Sequence, residues 1–70
     1  MTDAVDFYGK NAGSVYRFLE SKKSEPQTIS QIKKGARLKE FEVHGALGWL
    51  AREHKIQISG NEDNIKISLI

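Results

Sequence analysis

Cysteine is absent from the 70 residues, and that excludes disulfides, thiolate-ligated zinc and thiol nucleophiles together. Such a composition fits a reducing compartment, so a cytoplasmic location is expected. No apolar run approaches the roughly 18 residues of a membrane span. The opening stretch MTDAVDFYGK starts acidic and has no signal-like apolar segment, so export is not expected. Glycine-rich phosphate loops and nucleophile motifs are also missing. Histidine occurs twice, at His44 and His54. Ten residues apart on one helix, the two would stand about 280° around the axis and roughly 15 Å along it, too far to share a metal ion. Asp3 with Asp6, and Glu62 with Asp63, are explained by helix capping and turn solvation. No enzymatic site, cofactor or metal is expected from such a set.

A chain of this length makes one domain, expected over residues 1–70. Only about 60% of the unfolded surface of so small a chain can be buried, so self-association is the external support left open to it. Eleven lysines and arginines oppose nine acids, for a net charge of +2, too even to advertise a nucleic-acid partner by itself. The distribution is more informative. Lys33, Lys34, Arg37 and Lys39 fall in a stretch, Gln27 to Lys39, without an acid, while Asp3 and Asp6 sit at one end of the chain and Glu62 and Asp63 lie near the other.

Val5, Tyr8, Ala12, Val15 and Leu19 recur at helical spacing and predict a helix from about Ala4 to Lys22, capped by Asp3. A later start at Asn11 is the alternative. Ser24, Glu25 and Pro26 break the pattern. A short extended segment, Gln27 to Ile29, leads to a second helix with Ser30 as its expected cap and Ile32 and Ala36 facing inward. A helix of about two turns cannot stand alone in water and must dock on its neighbours. Arg37-Leu38-Lys39 makes a turn. Val43, Ala46, Leu47, Leu50 and Ala51 then predict a third helix from Lys39 or Glu40 to Glu53. From residue 56 the period becomes two. Ile56 and Ile58, then Ile65, Ile67 and Leu69, flank the turn-rich Gly60–Asn64 and predict a hairpin whose isoleucine face packs on the helices.

Helix, short strand, helix, turn, helix and hairpin make a mostly α domain with a small β-hairpin, the order of a winged helix-turn-helix with a two-stranded wing. Asn11–Glu20 (NAGSVYRFLE), Thr28–Leu38 (TISQIKKGARL) and Val43–Ile58 (VHGALGWLAREHKIQI) together resemble a small prokaryotic winged helix-turn-helix family of unknown function. Two positions depart from that pattern. His54 stands where glycine is usual after the third helix, and Lys39 where a Ser, Thr or Asp cap is expected.

The resemblance implies a DNA-binding-like module of the regulatory kind, since in such folds the second helix lies by the backbone and the next enters the groove. Lys33, Lys34, Arg37 and Lys39 are then the expected phosphate contacts, and His44 the one base-edge donor. The bland account makes those cations a solvated rim. Glu40, Glu42 and the wing-tip pair Glu62-Asp63 carry the wrong sign for phosphate, so any DNA binding should be weak and sequence-tolerant. The alternative is a protein-interaction or homodimerisation module without DNA binding. Its surface would use Tyr16, Phe18 and Trp49, or the wing edge. Phe41, Gly45, Gly48, Trp49 and Arg52 line the third helix's other side, where the first helix or the hairpin is expected to lie.

Overall fold

Asp3 starts the first helix, α1 (Ala4–Ser21), by accepting a hydrogen bond from the Val5 N–H at 2.8 Å. The early start thus holds, although Gly9 and Gly13 lie inside the helix. The computed structural model describes residues 2–23 and 25–70. The expected break at Ser24–Pro26 therefore falls partly outside the described residues. After it come β1 (Gln27–Thr28), α2 (Ile29–Ala36), α3 (Glu40–Arg52), β2 (Ile56–Ser59) and β3 (Lys66–Leu69). The strands form one antiparallel sheet in the order β1-β3-β2. The two-residue β1 pairs Gln27 with Ile67, so the hairpin is tied back to the entrance of α2.

One core joins all three helices to the sheet through Val15, Leu19, Ile32, Val43, Ala46, Leu50 and Ile67, each nearly or fully buried. Val5, expected on the inward stripe of α1, is exposed instead, while Tyr8 keeps its place on that stripe, partly exposed and lying over Gly45 of α3. Two aromatics of α1 that lie off this stripe, Phe7 and Phe18, are used within the molecule. Phe7 stacks on Phe41 of α3 at 6.4 Å between ring centroids, and Phe18 lies against Gly35 of α2.

The cap of α2 corrects the sequence reading. Thr28, not Ser30, is the N-cap: its hydroxyl accepts from the Gln31 N–H at 3.1 Å, and the Gln31 side chain accepts from the Thr28 N–H at 2.8 Å. Ser30 sits one residue inside the helix. Two hydroxyl residues compete for the role, and the pairing of Thr28 with Lys66 in the sheet holds Thr28 in the extended conformation a cap needs.

The hairpin is where the alternation rule overreaches. Ile56 and Ile67 are buried, but Ile58 is 65% exposed and Ile65 38%. The period fixes which way these side chains face and leaves open whether anything covers them. Opposite the wing's outer half α3 offers Gly48 and Ala51, too short to reach. Gly60, at a φ of 89°, opens the turn, and a side chain there would strike the Asn64 carbonyl.

All three helices are followed by a basic residue in left-handed conformation: Lys23 at a φ of 53°, Arg37 at 58° and His54 at 58°. At His54 the closure is complete. Its N–H donates to the Ala51 carbonyl and the Lys55 N–H to the Leu50 carbonyl, both at 3.0 Å. Histidine holds here a left-handed conformation that glycine adopts at lower cost, and His54→Gly should relieve that cost. A gain of about 1 kcal/mol is expected, which for a chain of this size raises Tm by roughly 4–8 °C in a thermal melt. An unchanged or lower Tm would show that the imidazole compensates for its backbone.

Candidate nucleic-acid interface

Ile32 is the buried residue of α2, and it decides how this 8-residue helix sits. With Ile32 inward, Ser30, Lys33 and Lys34 fall on the outer side, and Arg37 follows at the next turn of the same spacing. Lys33, Lys34, Arg37 and Lys39 are all exposed. Among the described residues the one salt bridge is Lys55 to Glu53 at 3.7 Å, so none of these four cations has a carboxylate partner within that range. The turn between the helices is tight, with the Leu38 N–H donating to the Lys33 carbonyl at 3.1 Å. It places Arg37 in the left-handed position and half-buries Leu38 beneath it.

Lys39 is the N-cap residue of α3 and has no acceptor to offer the helix. Half of the usual reciprocal arrangement survives, because Glu42 reaches back to accept from the Lys39 N–H at 2.8 Å. Glu42 thus has a structural task, while Glu40 beside it is exposed. His44 is exposed one turn further on. Beyond it the outward face of α3 turns apolar and small. A groove of about 300 Å³ runs between that face and the wing, lined by His44, Leu47, Gly48, Ala51, Ile58 and Ile65. Sequence reasoning did not find this groove. Its signal was present in the spacing of Gly48 and Ala51 opposite the hairpin, and became visible once the wing was placed.

Tyr16, Phe18 and Trp49 do not gather on one face. Phe18 is half-buried between α1 and α2, with the Lys22 ammonium 5.5 Å from its ring centroid. Tyr16 and Trp49 line a shallow cleft between α1 and the end of α3. There the indole lies against Gly9, and Lys55 caps the Tyr16 ring at 5.6 Å. Tyr8 occupies the space at Gly45, so α1 accounts for most of the stripe on that side of α3. Gly48 is different. A side chain added there would meet nothing within 4 Å.

A docked short helix, a tight turn, a longer helix and a hairpin tied back by β1 together make a winged helix-turn-helix. The family model described as a winged helix-turn-helix domain (DUF2582) matches residues 1–69. The chain belongs to this family. No curated protein matches the chain. As a member of this winged helix family the chain presents a DNA-binding-like scaffold: α2 and its turn are cationic, and α3, in the recognition position, carries an apolar outer face.

Proposed function

We propose that this domain binds duplex DNA through its phosphates, using Lys33, Lys34, Arg37 and Lys39, with His44 approaching the groove. The observation that carries the reading is the row of exposed, unpartnered cations on α2 and its turn, held to the core by Ile32. Phosphate contacts position a protein without reading sequence, and α3 offers no Arg, Asn or Gln on its first turns for bidentate base recognition. Binding is therefore weak and sequence-tolerant. The reading is one of binding without catalysis, in keeping with the lack of any nucleophile motif or phosphate loop in the sequence. A regulatory use follows from occupancy alone. The cytoplasm is the proposed setting, in keeping with the lack of cysteine; none of the described helices is long and apolar enough to cross a membrane.

The test is a titration of labelled protein with two short duplexes of unrelated sequence at low salt. Amides of residues 30–39 should shift alike with both, and the binding constant should fall with salt with a log–log slope of about −3 to −4 if all four cations meet phosphates. The double variant Lys33→Gln, Lys34→Gln, altered at two exposed positions, should flatten that slope by about two. Silence from residues 30–39, or an unchanged slope in the variant, would end the proposal.

A second reading, a protein-contact module without DNA, is favoured by the apolar groove between α3 and the wing.

A further inference from the structure

Five glycines lie inside helices, where each costs about 1 kcal/mol relative to alanine. At four of them a neighbour stands close to where a side chain would begin: the Trp49 indole at Gly9, the Arg17 guanidinium at Gly13, the Phe18 ring at Gly35 and the Tyr8 ring at Gly45. At Gly48 nothing among the described residues comes within 4 Å of that position. His44, Leu47, Gly48 and Ala51 fall at i, i+3, i+4 and i+7 on one face of α3. Gly48 and Ala51 are thus the floor of the apolar groove, and Ile58 and Ile65 of the wing are its far wall. At about 300 Å³ the groove is at the small end of ligand pockets, and it is open, with Ile58 65% exposed. Such a shape takes side chains offered from another surface and does not enclose a free molecule.

The charges beside the groove narrow the choice of occupant. On the wing side the neighbouring cations face elsewhere. Lys55 lies over the Tyr16 ring, Arg52 lines a separate hollow with Trp49 and Glu53, and Lys66 is on the opposite face of β3 from Ile65 and Ile67. Glu62 and Asp63 are exposed in the turn that joins Ile58 to Ile65, and neither has a cation within salt-bridge range among the described residues. On the α2 side Ile29 leads, one turn along, to Lys33. The wing side is therefore acidic and the α2 side cationic. We propose that this groove binds a basic amphipathic helix of another protein. The helix sets large aliphatic side chains on Gly48 and Ala51 and turns lysines or arginines to Glu62 and Asp63. The small residues let the second helix come close to α3, and a row of apolar anchors at i, i+3 and i+4 matches the row they lie on. The same two carboxylates repel phosphate, so DNA is not the occupant. The inference rests on the protein-contact reading and adds to it the charge of the partner.

The probe is a capped peptide of about 15 residues, long enough to hold a helix, with leucines at i, i+3, i+4 and i+7 and lysines on its other face. Its control carries glutamates in place of the lysines. Titrated into the full chain at low salt, the lysine peptide should shift the amides of Leu47, Gly48, Ala51, Ile58 and Ile65. It should bind at least about fivefold tighter than the glutamate peptide. The double variant Glu62→Gln, Asp63→Asn should erase most of that difference. Gly48→Leu, altered at an exposed position, fills the groove from within and should weaken both peptides at least about tenfold, while the amides of α1 stay in place. Groove amides that move with neither peptide overturn both the inference and the protein-contact reading. Equal binding of the two peptides, or tighter binding of the glutamate one, overturns the inference alone. So does an affinity indifferent to both variants. Shifts of these amides on raising the protein concentration, or on adding a short duplex, would give the groove to a second copy or to DNA and overturn it as well.

Discussion

Ile32→Ala should cost the domain about 2–5 kcal/mol, the usual penalty for emptying a fully buried aliphatic site. At roughly 0.05–0.15 kcal/mol per residue, a chain of this length has in total only about 4–10 kcal/mol to lose. The consequence is sharper than a general weakening, because Ile32 is the buried residue of an 8-residue helix that cannot persist undocked. Urea unfolding should show the midpoint collapsing. At temperatures where α1 and α3 remain helical, the amides of Ile29–Ala36 should lose their dispersion first. Phosphate binding is expected to go with them, although no cation has been touched. The double variant Lys33→Gln, Lys34→Gln gives the complementary dissociation, with stability within about 0.5 kcal/mol of the parent and binding diminished. A loss below about 1 kcal/mol for Ile32→Ala would mean that α2 is held by something other than its one buried side chain.

Two glycines inside helices should respond to alanine in opposite directions. Alanine favours a helix interior by about 1 kcal/mol over glycine, all else equal. At Gly48 all else is equal, since the added methyl meets nothing within 4 Å, and Gly48→Ala should stabilise by about that amount. At Gly35 the methyl would overlap the ring of Phe18, which is half-buried between α1 and α2. Displacing that ring costs on the order of 1–3 kcal/mol, enough to cancel the gain and reverse its sign. Thermal melts of the two variants should therefore move apart, by about 4–8 °C for each kcal/mol separating them. A stabilised Gly35→Ala variant would show that Phe18 is free to leave α2. Were Gly48→Ala to destabilise, something outside the chain would have to be pressed against that face of α3.

Several features were legible because they depend on neighbours in sequence. Asp3 before an apolar stripe with a period near four starts α1 where expected, and the change to a period of two at residue 56 marks the wing. His54 takes the left-handed position that its place after α3 required. The four cations could be placed on the second helix and its turn by counting alone. Phe18 and Trp49, chosen as large aromatics for a partner surface, could not be assigned that way. Only the structure shows that one rests on Gly35 and the other on Gly9.

Sequence by itself determined the elements, their order and the direction each side chain takes, since these follow from backbone periodicity and local capping, which act over a few residues. Tertiary structure alone decided what stands opposite each face. It chose Thr28 over Ser30 by pairing Thr28 with β3, and it left Val5 without a neighbour to cover it. It also left Ile58 and Ile65 uncovered across from a glycine and an alanine. Burial requires a second surface, and which surface arrives is set by contacts between residues far apart in the chain, which no local pattern encodes.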